Sequence, residues 1–319
     1  MYTQSVCALT GPSPLFYGRI GGSDTDMMID YLEGRMANDT SEQLLQRVLP
    51  HRGRLAEYNG YYDKSNLGDN LLRFCEVMLS CYQSFEHTSL VGEKWQTLYF
   101  KNNLNPKFHV NLRGKSDVYQ HLLDIISAGS RNIYVYPFAF IEKTTRDNWT
   151  MFHAFQKVLA NKRVLVASPF SGSIRKNFRN RANFFRDYVY PDFGLETYST
   201  PITYAGLPEH YYPHQDWFQT VEAMKAEVEK IRFDVALLGC GSYAVPLGTH
   251  ICQVMQKKAI YVGGILQLYF GIMGRRYMNP FFTSRINVEY FVSAEEGAKY
   301  KNHVTISPDS RKDGFGAYF

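Results

Sequence analysis

The chain has 319 residues, 45% of them apolar, with 35 basic and 30 acidic side chains. That apolar share excludes extensive disorder and allows a sizeable core. A net charge of +5 is too mild at this length to argue for a nucleic-acid partner, and no apolar run approaches the roughly 20 residues of a membrane span.

In chain order, the first 130 residues read as mostly helical. Apolar residues recur at helical spacing near Asp26–Met36, Ser41–Val48, Leu67–Ser80 and Val118–Ile126. Turn residues such as Asn59-Gly60 separate them. From about residue 131 the pattern changes to short strand-like runs, Asn132–Tyr136, Arg163–Ala167, Phe233–Leu238 and Ala259–Val262. Helical candidates alternate with them at Trp149–Ala160, Ile174–Tyr188, Trp217–Ile231 and Val245–Gln256. Strands rich in Val, Ile and Leu, alternating with helices, predict an α/β fold: a Rossmann-like, mainly parallel sheet with helices on both faces and a helical N-terminal half. With no linker or repeat, residues 1–319 are expected to form a single domain, residues 131–319 its Rossmann-like part. Ligands of such sheets bind beyond the carboxyl ends of strands, which directs the search for chemistry to the residues there.

Four segments qualify. Phe16-Tyr-Gly-Arg-Ile-Gly-Gly-Ser-Asp-Thr-Asp26 places Arg19 before paired glycines, Gly21 and Gly22, and then Asp24 and Asp26. Arginine suits a two-pronged phosphate contact, and two carboxylates suit a hard divalent cation bridging a diphosphate. The plainer alternative is a glycine turn with Asp24 or Asp26 capping a helix. Ser168–Lys176 follows a strand and opens a helix, so that Ser171, Ser173, Arg175 and Lys176 offer either a phosphate cradle or ordinary capping with a solvated basic face. Asp234–Tyr243 runs a buried strand into Gly239, Gly241 and Ser242, which is either a tight strand-to-helix turn that needs glycine anyway or a turn against which a nucleotide could lie. Finally, Gly263-Gly264 closes the next strand, with Gln267, Arg275 and Arg276 following; His250, one helix earlier, is expected to be structural.

Five cysteines without a C-x-x-C pair give no zinc site or disulfide framework, so a reducing compartment is expected. The beginning of the chain lacks the basic start and apolar stretch of a signal peptide, which adds a cytoplasmic expectation. No G-x-x-x-x-G-K-[ST], H-E-x-x-H or G-x-S-x-G motif is present.

Taken in order, the arginine-glycine-acid segment, the late Gly-x-Gly and the following Gly-Gly resemble the GT-D type of glycosyltransferase. The resemblance implies transfer of a sugar from a nucleotide-diphosphate sugar, UDP-linked by expectation, to a hydroxyl of a glycan acceptor, with Mn²⁺ or Mg²⁺. That family's N-terminal motif reads approximately Arg-Phe-Gly-Asp-Gly-Glu. Here Arg19-Ile-Gly-Gly-Ser-Asp24 stands in its place, with Asp24 for the glutamate and Gly22 for the first acid. On this resemblance Asp24 and Arg19 are the catalytic candidates, Asp24 and Asp26 the metal candidates, and Gly239 to Ser242 the nucleotide loop. Two other readings stay open. Leu238-Gly-Cys-Gly-Ser also resembles the glycine loop of S-adenosylmethionine-dependent methyltransferases, although it lies late in the chain and no acid closes the next strand. The departure at Gly22 leaves room for a non-catalytic nucleotide-sugar-binding protein.

The 24 tyrosines, 22 phenylalanines and 3 tryptophans exceed what charge and length would suggest. Tyr58, Tyr61, Tyr62, Tyr211 and Tyr212, beside His210 and His214, fall near turn residues and are either loop tyrosines packed on the core, the plainer expectation, or candidate acceptor contacts, because a phenol offers a flat apolar face and a hydroxyl edge.

Overall fold

The computed structural model describes residues 7–65, 68–90, 115–129, 132–135, 150–298 and 300. Of the positions singled out in the sequence, Leu67, Tyr136 and Trp149 lie outside these. Seven parallel strands form one sheet: β1 (Leu15–Ile20), β2 (His87–Leu90), β3 (Asn132–Val135), β4 (Arg163–Ser168), β5 (Gly194–Ser199), β6 (Val235–Leu238) and β7 (Lys258–Tyr261). Their order across the sheet is β3-β2-β1-β7-β6-β4-β5. The α/β expectation therefore holds, with one difference of division. β1 and β2 come from the part read as helical, and β1 lies inside the sheet next to the central strand β7, paired with both β2 and β7.

Two apolar layers sandwich the sheet, and alternate strand residues divide between them as a pleat requires. Phe16, Ile20, Leu165, Ala167, Ala236, Leu238 and Ala259 face one layer. Helices α1 (Gly22–Met36), α2 (Ser41–Val48), α3 (Arg52–Asn59), α4 (Gly68–Tyr82), α5 (Ser116–Gly129), α8 (Trp217–Glu229) and α9 (Ala244–Gln253) supply it. Leu15, Tyr17, Val164, Val166, Val235, Leu237 and Ile260 face the other. That side is built from α6 (Thr150–Val158), α7 (Ser171–Asn177), α10 (Ile265–Tyr269), α11 (Pro280–Thr283) and the aromatic-rich segments between them.

The helix expected over Ile174–Tyr188 is cut short. It ends at Asn177 and continues as a 3-10 turn, Phe178–Asn183. The buried Asn177 amide donates to the carbonyls of Gly271 (2.9 Å) and Tyr290 (3.0 Å), an attachment to the C-terminal segment that helical periodicity does not register. No helix among the described residues is long and apolar enough to cross a membrane.

Candidate functional site

β1 ends beside the central strand β7, where the chain leaves to β2 on one side while β7 arrives on the other. This reversal of strand order opens the crevice in which ligands of such sheets bind. Gly21 is the N-cap of α1, in extended conformation and with no side chain to cap the helix. Asp24, at the third helical position, accepts a hydrogen bond from the Gly21 N–H, which is half of a capping box. The N-cap residue is thus Gly21 and not Asp24 or Asp26, and Asp24 reaches back to it from inside the helix. A Cβ built on Gly22 would meet no atom within 4 Å, so the first turn of this helix is open to a ligand.

Asp24 nevertheless does more than cap. Only 4% of it is exposed, and burial pushes its carboxyl up from 3.8 to about 6. The Arg19 guanidinium, the Gly21 N–H and the Asn59 amide pull in the opposite direction but do not cancel the burial. Asn59, the last residue of α3, donates from its side-chain amide to the Asp24 carboxylate. Its own carbonyl accepts from Ser242 Oγ at 2.9 Å, and that hydroxyl also receives the Trp217 indole N–H at 2.8 Å. Gly60 caps α3 in the left-handed conformation, φ 78°, which explains the Asn59-Gly60 pair as a helix end. Asn59 is the functional residue that the sequence reading missed. Tyr82 is close enough to feel the Asp24 charge: its fully buried hydroxyl has no hydrogen-bond partner among the described residues, and that charge adds to the burial that holds it protonated.

Arg19 sits on β1, one residue before its end, and reaches across to β7. Its guanidinium lies 5.9 Å from the Tyr261 ring centre, with Nη1 3.4 Å from the Val262 carbonyl. Gly263 makes room for it: φ is 72°, and a Cβ there would stand 2.0 Å from Arg19 Nη1. The conformation and the close approach both require glycine. Arg19, Gly21, Gly22, Asp24 and Gly263 are therefore brought together, as the sequence suggested.

The remaining candidates are paired or packed against other groups of the chain. Asp26 is two residues from Asp24 on the same helix, a spacing at which side chains do not face each other. Asp26 pairs with Arg54 at 3.3 Å, whereas Asp24 turns inward to Asn59. The pair expected as metal ligands is thus split, and among the described residues no three His, Cys, Asp or Glu side chains gather as a metal site. Gly239 and Gly241 are occupied by protein. Cβ atoms there would stand 2.7 Å from Leu266 Cδ2 and 2.6 Å from the Asn59 carbonyl oxygen, and Ser242 is spent on Asn59 and Trp217.

The segment read as a phosphate cradle already holds anions of this chain. The Ser173 N–H and Oγ donate to Glu296 at 2.8 and 2.5 Å, and Lys176 pairs with Glu295. Arg175 lies along β5 against the Thr197 hydroxyl, and Ser171 is buried. The exposed Lys176–Glu295 pair should matter little: Lys176→Ala is expected to change unfolding free energy by less than about 1 kcal/mol. Ser173→Ala, which strips two hydrogen bonds from a buried hydroxyl, should cost about 1–3 kcal/mol in denaturant melts.

His250 pairs with Glu229 at 2.8 Å, as a structural histidine does. Of the loop tyrosines, Tyr61 and Tyr62 are core residues, with Tyr62 stacked on Tyr212 at 4.7 Å. Tyr211 is partly exposed and packs on Tyr300 at 5.0 Å.

No family model and no curated protein matches the chain. Among solved structures, the chain is similar to one described as a new glycosyltransferase (DUF1792) from Streptococcus sanguinis, with 12% identity over 96% of this chain and 97% of that one and a TM-score of 0.43. It is also similar to a structure presented under the statement that the highly conserved domain of unknown function 1792 has a distinct glycosyltransferase fold, with 10% identity, 84% of each chain covered and a TM-score of 0.39.

Proposed function

We propose that the chain is a glycosyltransferase that moves a sugar from a nucleotide-diphosphate donor, UDP-linked in the first instance, to a glycan hydroxyl. The observation that carries this reading is the placing of the Arg19 charge within electrostatic reach of the buried Asp24 at the open first turn of α1, in the crevice between β1 and β7. The N–H groups of that turn and the Arg19 guanidinium suit a diphosphate. As the bond from the anomeric carbon to the diphosphate oxygen breaks, its electron pair moves onto the diphosphate, and Arg19 offsets the growing charge. The acceptor hydroxyl attacks the anomeric carbon, and Asp24 takes its proton. A carboxyl held at about 6 is ionised at neutral pH yet more basic than an ordinary aspartate, as a general base requires.

A divalent cation bound by two carboxylates does not fit the split of Asp24 from Asp26, and the positive charge is assigned to Arg19 instead. Transfer from UDP-sugars, followed by release of UDP, should therefore persist in excess EDTA; a strict Mn²⁺ requirement would overturn that assignment. The rate should fall on its acid side with an apparent pKa of about 6, as Asp24 takes up a proton and ceases to be a base. An acid limb near 4 in the pH–rate profile would remove Asp24 from the role. The methyltransferase reading has less support, because protein atoms lie against both glycines of the Gly239–Gly241 turn. If no UDP-sugar is turned over with any glycan acceptor, the transferase reading fails.

A further inference from the structure

A second cleft opens at the carboxyl edge of the sheet, beyond β4 and β5. It has a volume of roughly 370 Å³ and is walled by Pro169, Tyr198, Thr200, Tyr211, Glu296 and Tyr300 among others, a size within the range of small-ligand sites. Its chemistry differs from that of the Arg19–Asp24 crevice. No lysine or arginine is among its described lining residues, and its one acidic group is Glu296. A cleft of this kind does not attract phosphate; aromatic walls with a carboxylate and hydroxyls suit a neutral, polyhydroxylated ring.

Two details point to a ligand. Thr200 lines the cleft and is 3% exposed, and its hydroxyl has no hydrogen-bond partner among the described residues. A buried hydroxyl left unmet is costly and calls for an explanation. Glu296 is fixed rather than mobile, since the Ser173 N–H and Oγ each hold one of its oxygens. Each oxygen keeps a further lone pair with which to accept a sugar hydroxyl.

The position of the cleft then defines its role. β1 and β4 are separated by β7 and β6, three strand spacings or roughly 14 Å. A sugar in the cleft is too far from Asp24 to be the one that reacts. Resting on the transferase reading above, we propose that this cleft holds a non-reacting sugar of the acceptor. The acceptor is then an oligosaccharide that lies along the carboxyl edge of the sheet, with its reactive end at Asp24 and a distal ring between Tyr211, Thr200 and Glu296.

Binding of the methyl glycosides of glucose, galactose and N-acetylglucosamine, followed by saturation-transfer NMR on the full chain, tests the proposal. At least one should bind the wild-type protein, and about tenfold more weakly to Thr200→Val and Tyr211→Ala. Thr200→Val is the informative variant, because removing an unpartnered hydroxyl should leave the melting temperature unchanged or raise it. Undiminished glycoside binding in both variants, or no binding to the wild-type protein, overturns the proposal. UDP binding, read by thermal shift on the same samples, should be unchanged in both variants. A protein that binds glycosides through Thr200 and Tyr211 but does not bind UDP keeps the cleft as a sugar site and overturns the donor reading alone.

Discussion

Asp24→Asn is expected to lower sugar transfer at neutral pH by at least about a hundredfold, the usual contribution of a general base, while making the protein more stable. The gain follows from the raised carboxyl. The folded chain holds the Asp24 proton more tightly than the unfolded chain does. Stability conferred by the protonated group is therefore fully present below about pH 4 and is lost as pH rises through about 6. By pH 8 the buried charge costs about 3 kcal/mol, the equivalent of a shift from 3.8 to about 6. Asparagine has nearly the same shape and carries no charge to desolvate, but its one side-chain oxygen replaces two, so losing the hydrogen bond from the Gly21 N–H or from the Asn59 amide offsets part of the gain. In urea melts the stability of the variant relative to the wild-type protein should rise by about 1.5 kcal/mol between pH 5 and pH 8. A variant that loses activity without this pH-dependent gain would show that Asp24 is not held in a costly ionised state.

Gly241→Ala should have the opposite signature, a large loss of stability. Gly241 has φ 62°, and a Cβ would approach the Asn59 carbonyl oxygen to 2.6 Å. The left-handed conformation costs about 1 kcal/mol and overpacking against backbone a further 1–3, so about 2–4 kcal/mol should appear in denaturant melts. Displacing Asn59 would also loosen its amide from Asp24. Because that hydrogen bond lowers the Asp24 pKa, the acid limb of the rate profile should move above 6 in any protein that remains folded. From the sequence, Gly241 reads as a glycine kept for the approach of a nucleotide. The structure assigns it to the approach of α3. An unchanged stability in Gly241→Ala, with affinity for UDP lost, would restore the first reading.

What the sequence makes legible is whatever has a local period. The apolar runs at β4, β6 and β7 and the helical spacing of α1, α2, α4, α8 and α9 mark those elements to within a few residues. β1 is hidden because Gly18 and Arg19 interrupt its apolar pattern. Gly18 is there because a Cβ would strike the Phe85 ring, and Arg19 reaches across to the Val262 carbonyl. β5 is an edge strand with alternate residues exposed, and its Gly-Leu-Glu-Thr-Tyr-Ser carries little strand signal. The same limit applies to the site. Arg19 and Asp24 are legible, being five residues apart. Asn59 is not, since it lies 35 residues from the carboxylate it holds and 183 from the serine that holds it. The Ser171–Lys176 cradle misleads because Glu295 and Glu296, which fill it, arrive over a hundred residues later.

The pairing of β1 with β7 has a consequence for how the chain comes to exist. Arg19 meets Val262 across 243 residues, so the crevice cannot assemble until almost all of the described strands have been synthesised. At elongation rates of about 5–20 residues per second, β1 waits on the order of ten seconds or more with one of its edges unpaired. Contacts of such long range also fold slowly. Under the proposed function, activity reports on completion of the fold, because a chain lacking β7 has Arg19 and Asp24 but not the strand end that Arg19 reaches.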